Sequence, residues 1–374
     1  MKTTIVPITE DNLDVVAAAA AKFGMPRSAG WLRRCFFDPT VEDLTRDRIR
    51  GHMAVDENGE AIAIHGYYYQ PCYFRQDRFL AGTGAIMGAK AKYGEELLCV
   101  QDKNKETRTK DRLGFGNCIY GKRAYTVNKK VYKMNEPPYR SGEYRFCVLD
   151  CSAYLLAILW RIRLRSNILN RLVYLILRPV AWIVRAASNL RFDSDGYSYV
   201  RNNGFGDARF DGFWARFLAG NDGVISSREP KRMQWLFHDS IKAGKVFLAT
   251  AEKNGCIEGY VLIREKGEGR CPKSFDIVDI CAIGNNIDCL RGLCFEAKRL
   301  AAEKGGIKLY FSGSMPNQEK WLDQVFRYRG KDVCYFMFGT KDQEIAESLK
   351  QNKGWFFGPL DGERCLGHGG YIDM

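Results

Sequence analysis

Residues 274–304 read SFDIVDICAIGNNIDCLRGLCFEAKRLAAEK. Ser274–Ile283 is apolar apart from Asp276 and Asp279 and is rich in β-branched residues, which predicts a strand. Ile287–Lys304 sets Leu290, Leu293, Cys294, Ala297, Leu300 and Ala301 at helical spacing, and Gly305-Gly306 ends the helix. Gly284-Asn285-Asn286 lies between the two. A strand, a turn and a helix in that order leave backbone N–H groups and the positive end of the helix dipole at the turn, which favours a phosphate.

Reading outward, Asp211–Leu218 predicts a helix with an aromatic face, and Glu229–Ile241 a second helix carrying Trp235. Lys245–Lys253 and Cys256–Glu265 predict a hairpin about Asn254-Gly255. After the long helix come a strand at Ile307–Ser312, a helix at Asn317–Arg329 and a last strand at Asp332–Phe338.

The first half shares part of this pattern. Pro26-Arg27-Ser28-Ala29-Gly30-Trp31-Leu32 matches Pro230-Lys231-Arg232-Met233-Gln234-Trp235-Leu236, and each is followed by a hairpin with an Asn-Gly turn, at Asn58-Gly59 and Asn254-Gly255. Ordered matches about 200 residues apart point to a repeat. Three segments follow: a first α+β unit at 1–150, an Arg-rich helical linker at 151–195 and a second unit at 196–374. In the first unit Glu95–Asp102 predicts a strand, Gly82-Thr83-Gly84 a bulged strand, and Asn104 to Gly114-Phe115 a closing helix. A counterpart of the long helix is missing there or reduced to a turn, so this unit is expected to be structural.

The order α-α-β-β-β-α-β-α-β resembles the acyl-CoA N-acyltransferase superfamily, the GNAT fold, and the repeat resembles its tandem form, over roughly residues 1–135 and 205–374. The fold class expected is therefore α/β with mixed sheets (α+β), as two GNAT-like lobes joined by the Arg-rich insert. The resemblance implies that the strands flanking the long helix splay and admit acetyl-CoA or another acyl-CoA. It implies cofactor contacts at Ile280, Ala282, Gly284, Asn285, Asn286 and Ile287, and at Asn317 opening the next helix. The family's loop carries more glycine and a basic residue. Here no basic residue comes before Arg291, and Asp288 caps the helix.

The family often places a carboxylate base on the strand before the cofactor helix and a Tyr acid on the following helix. Asp276 and Asp279 are three apart, which on a regular strand puts them on opposite faces. Asp279, nearer the loop, is the candidate base. The usual Tyr position holds Gln324, so Tyr328, one turn on, is the candidate acid; the matching first-half position is Asp111. The activity implied is transfer of an acyl group from CoA to a small-molecule amine, such as an amino sugar or an envelope precursor. The alternatives are an aminoacyl-tRNA-dependent peptidyltransferase of the tandem-GNAT kind and a non-catalytic binding protein.

Composition narrows the partners. The chain has 374 residues, is 46% hydrophobic and carries a net charge of +13. Residues 151–192 hold seven Arg and no Lys, Asp or Glu, more than half of that excess. The two bodies are thus only mildly basic, and nucleic acid other than tRNA is not expected as a partner. Within residues 153–192, Arg171, Arg178 and Arg185 recur every seven residues among Leu, Ile, Val and Trp, with Pro179 as a break. That pattern is similar to an interfacial amphipathic hairpin on an anionic membrane surface. A cytoplasmic protein, peripheral at the inner membrane face, is expected. The start carries Glu10, Asp11 and Asp14 instead of a leader's apolar run. The longest uncharged stretch of the insert is the ten residues Cys151–Trp160, against roughly 18 needed for a span. Thirteen Cys without a C-x-x-C predict free thiols, and four His predict no metal site. G-x-S-x-G, P-loop and dinucleotide motifs are absent.

Overall fold

The strands assemble into two seven-stranded mixed sheets. In the computed structural model the described residues are 3–42, 49–90, 92–107, 113–118, 143–150, 154, 179, 196–266, 273–312, 319–331 and 335–350. The chain divides into two units. The first takes Met1–Gly142, Asn221–Asp239 and Val333–Met374; the second takes Glu143–Gly220 and Ser240–Asp332. The contiguous halves expected from the sequence are thus replaced by units assembled from separate segments. Apart from Tyr154 and Pro179, the linker 151–195 lies outside the described residues.

The first sheet contains β1 (Thr4–Pro7), β2 (Gly51–Val55), β3 (Ala61–Phe74), β4 (Asp77–Ala89) and β5 (Leu113–Cys118) in sequence order, and the chain's late strand β14 (Tyr335–Gly339) pairs with β5. β8 (Val224–Ser226) adds to the far end of β3. The helices α1 (Leu13–Lys22), α2 (Ala29–Phe36) and α3 (Gly94–Thr107) belong to this unit. Ser28 starts α2 by accepting from the Trp31 N–H at 3.1 Å, and Trp31 is buried.

Glu95–Asp102 is helical, not a strand. Its leucines mislead because they are consecutive. Leu98 is exposed, while Leu97 and Val100 pack on Ala54, Ile62 and Ala63 with Tyr93. Positions 97, 100, 101 and 104 form the inner face of α3, a spacing of three to four. The helix judged missing from the first half is therefore present and 14 residues long. Asn104 belongs to it, and Gly114-Phe115 lies in β5, so no closing helix runs between them. Gly82-Thr83-Gly84 sits inside the long strand β4.

The second sheet runs β13 (Tyr328–Lys331), β6 (Glu143–Val148), β12 (Gly306–Phe311), β11 (Lys273–Ala282), β10 (Cys256–Lys266), β9 (Val246–Lys253) and β7 (Ser198–Asn202). Helix α4 (Arg209–Ala219) buries Phe210, Phe213, Trp214 and Phe217, the aromatic face expected. α5 (Pro230–Lys242), most of which belongs to the first unit, carries Trp235 as expected, and α6 (Ile287–Glu303) is the long amphipathic helix. The β9–β10 turn has Asn254 and Gly255 both at positive φ, 53° and 78°, the two-residue hairpin the dipeptide predicts. The β2–β3 connection is longer: Asp56 Oδ1 accepts from the N–H groups of Asn58 and Glu60, and only Gly59 is left-handed. The helix predicted to 329 is shorter. α7 (Glu319–Val325) ends before Tyr328, which opens a strand. The last predicted strand is β14, in the other unit's sheet, followed by α8 (Gln343–Lys350). Cys35, Cys72, Cys99, Cys147, Cys256, Cys281, Cys289 and Cys294 are free thiols.

Candidate functional site

In each sheet a parallel pair of strands comes apart at a bulge. In the second unit β11 and β12 pair from Lys273/Gly306 to Ile277/Phe311 and then separate. Leu262 faces Asp279 and Ile263 faces Ile277, so Val278 is an extra residue in β11. From Val278 to Ala282, β11 is paired with β10 alone. The opening is thus bounded by a strand edge whose backbone groups have no strand partner among the described residues, and it leads to α6.

The bulge corrects the facing of the two aspartates. An extra residue between them restores the alternation, so Asp276 and Asp279 lie on one face. Asp276 is buried and held bidentately by Arg264, with Nε and Nη2 both at 2.9 Å. Asp279 is fully buried and accepts a hydrogen bond from the Tyr260 hydroxyl; Cys281 Sγ lies 3.9 Å from its Oδ2. The Tyr260 ring meets Phe205 and Phe213 edge-on, each at 5.6 Å. The candidate base therefore sits beneath an aromatic cluster with a hydroxyl already donated to it.

The remaining expected residues divide. Ile280 and Ala282 are fully buried on the α6 face, so they offer a ligand backbone atoms only. Gly284 and Asn285 are left-handed at φ 59° and 53° and form a turn before the helix. Asn286 Oδ1 accepts from the Cys289 N–H at 2.9 Å, which occupies one free donor of the helix end. Ile287 is exposed, and Asp288 stands 3.7 Å from Arg291. Asn317 lies outside the described residues. Tyr328 is half-exposed on β13 and stacks on Phe146 at 5.2 Å. Three strand steps separate β13 from β11, about 14 Å at the usual spacing. Candidate acid and candidate base are thus not brought together, because β6 enters the sheet between β12 and β13.

The first unit has the same opening, which the sequence reading missed by taking α3 for a strand. β4 and β5 pair at Ala81/Leu113, Gly82/Gly114 and Thr83/Phe115 and then part. Gly66 faces Ile86 and Tyr67 faces Gly84, so Ala85 is the extra residue. The position of Asp279 relative to the bulge is held here by Ile86. Lys90 and Lys92 flank the connection into α3; Lys90 Nζ is 3.3 Å from Glu60, and Lys92 lies over the Tyr93 ring at 4.8 Å. Glu95 and Glu96 follow in the first turn of the helix, where carboxylates suit the dipole. Signals for this opening were the lysines and the helical spacing of 97, 100, 101 and 104.

α3 is fixed by polar contacts. Asn104 Nδ2 donates to the His65 carbonyl at 2.9 Å, so its Oδ1 is left to accept from His52 Nδ1, at 2.6 Å. Burial, the largest influence, pushes the His52 pKa below its ordinary 6.5, against the hydrogen bond to Asn104. A neutral imidazole is thus part of the folded state. As pH falls through about 6.5 the unfolded chain binds a proton that the folded chain refuses, so stability is expected to fall. Melting curves from pH 8 to 5 should show a decline that is smaller in His52→Gln. An identical decline in the variant would refute the assignment.

The first unit also holds an open cavity of about 440 Å³, lined by Pro39, Thr40, Glu42, Arg78, Glu229 and Lys231. Within it Arg78 Nε is 3.3 Å from Glu229, which also takes the Tyr73 hydroxyl.

These features can be set against known structures. A GCN5-related N-acetyltransferase from Kribbella flavida matches with a TM-score of 0.54 over 92% of this chain and 72% of its own, at 13% identity. The chain has the fold of GCN5-related N-acetyltransferases. Saccharomyces cerevisiae N-myristoyltransferase with bound myristoyl-CoA and inhibitors shares the GNAT fold with it at TM-score 0.52, 10% identity and 90% and 79% coverage. A probable N-acyltransferase from Enterococcus faecalis V583 does so at TM-score 0.56, 9% identity and 91% and 73% coverage. No family model matches the sequence, and no curated protein matches it. Among the described residues no helix is long and apolar enough to cross a membrane, and no His, Cys, Asp and Glu group is arranged to hold a metal.

Proposed function

We propose that the chain is an acyl-CoA-dependent N-acyltransferase that binds its donor in the opening between β4 and β5 and passes the acyl group to a small-molecule amine. The observation that carries the reading is the parting of parallel strands at a bulge directly ahead of a helix. A strand edge with unused backbone groups suits the amides of a pantetheine arm, and a helix N-terminus suits its phosphates. The first opening is preferred for the lysines ahead of its helix: Lys90 and Lys92 precede α3, whose first turn then holds Glu95 and Glu96, whereas no basic residue precedes α6, which Asp288 opens with Arg291 beside it.

One observation favours the second opening: Asp279 supplies a carboxylate at the bulge that could take the amine's proton. Acetyl-CoA at 100 times its dissociation constant is expected to add about 2.7 kcal/mol of stability. Lys90→Glu with Lys92→Glu should weaken that stabilisation at least tenfold in ligand concentration, and Asp279→Asn should leave it in place. No shift up to millimolar acetyl-CoA refutes the acyltransferase. A shift lost in a Gly284→Val variant but kept without the lysines moves the donor to the second opening.

A further inference from the structure

The first unit buries polar groups that its own hydrogen bonds do not use. Gln70 is fully buried, and among the described residues neither its Oε1 nor its Nε2 has a partner; Thr83 is fully buried, and its hydroxyl has none among them. Such groups are costly to bury without partners and are rare in folded proteins, so a pair of them points to a partner brought from outside. Their placement says where. Tyr68 faces Thr83 and Gln70 faces Ala81 across β3 and β4. Residues opposite one another, and residues two apart, share a face, so Gln70 and Thr83 are diagonal neighbours on one face, about 7–8 Å apart at Cα. Ala81, opposite Gln70 in the register, adds only a methyl group.

Thr83 is also the last residue of β4 that pairs with β5. It marks the point of the wedge at which the strands separate. A donor that enters from the open end reaches this point with its acyl group. Beyond Gln70 the same face is closed by the buried cluster of Cys72, Phe74, Phe79, Ala81 and Phe338. A long chain has no room to pass, and a short saturated one would leave both polar side chains unpaired.

Resting on the donor site proposed above, we infer that Gln70 and Thr83 select a short hydroxylated acyl group, of the 3-hydroxybutyryl kind. Its hydroxyl both donates and accepts. It can accept from Gln70 Nε2 or the Thr83 hydroxyl and donate to Gln70 Oε1. Selection of this sort is strong in one direction, because a donor lacking the hydroxyl leaves the site's buried groups without partners.

The test is calorimetric titration of the full chain with 3-hydroxybutyryl-CoA and with butyryl-CoA. The unsubstituted protein should bind the hydroxylated donor at least tenfold more tightly, a comparison that needs no variant to fold. In Gln70→Leu and in Thr83→Val the preference should shrink several-fold, and in the double variant it should fall to within twofold. Equal affinities in the unsubstituted protein overturn the inference while leaving the donor site standing. A preference that survives in the double variant also overturns it. So does a double variant that is more stable with its ligand preference intact, which makes the pair a buried water site. Failure of both donors to bind removes the donor site and the inference together.

Discussion

Arg232→Met is expected to cost about 3–5 kcal/mol of folding stability, the range for removing one partner of a buried ion pair. Arg232 and Asp38 have side chains only 3% and 4% exposed, with Nε 3.1 Å from Oδ2. The guanidinium also donates to the Ser227 carbonyl at 2.6 Å. Asp38 spends its other oxygen on the Thr40 N–H, at 2.9 Å, and on the Thr40 hydroxyl, at 2.6 Å. Taking away the arginine strands a carboxylate where water does not reach it. The pair also joins the segment Asn221–Asp239 to the rest of the first unit, beside the pairing of β8 with β3. Urea titration should show a lower midpoint with an unchanged slope. Asp38→Asn combined with Arg232→Met should recover most of the loss, since no charge is then left buried. A single-variant loss below about 1 kcal/mol would show that the pair is better hydrated than its geometry implies.

Gly259→Val is expected to cost about 3 kcal/mol, at the upper end of overpacking penalties. Gly259 lies on β10 opposite Ala282, under α6. A Cβ there would come within 2.7 Å of the Cys281 carbonyl oxygen, 2.9 Å of Cys289 Sγ and 3.0 Å of Leu293 Cδ1. The first of these is backbone in the middle of a sheet and has little freedom to move. The second and third are the contacts through which α6 lies close on the strands, so relief requires the helix to lift. Gly212→Ala is the control: its added Cβ meets nothing within 4 Å on helix α4, and a gain of about 0.5–1 kcal/mol is expected from the better helix former. Comparable thermal shifts for the two variants would refute the packing argument.

Much of the second unit was legible because its elements are regular. The period of Ile287–Lys304 is helical and its borders are marked by Asn286 and Gly305, and the structure gives Ile287–Glu303. Asn254-Gly255 can adopt the two left-handed conformations that a two-residue turn demands, so the β9–β10 hairpin was fixed locally. The loop Gly284–Asn286 was found for the same reason. The first opening was not, because the consecutive apolar residues of EELLCV read equally as a strand until Val100 and Asn104 are seen to face inward together.

The local order of strand, turn and helix follows from residues near one another in the chain, and so does the likeness to the GNAT fold. The tertiary structure set the facing of Asp276 and Asp279, since one extra residue at Val278 changes which side every later residue takes, and alternation alone does not reveal a bulge. It alone separated Tyr328 from Asp279, by placing β6, from residues 143–148, between strands 306–311 and 328–331. And it alone showed Gln70 and Thr83 without partners, because hydrogen bonding across strands depends on register, which is set by the packing of whole sheets and not by any one segment.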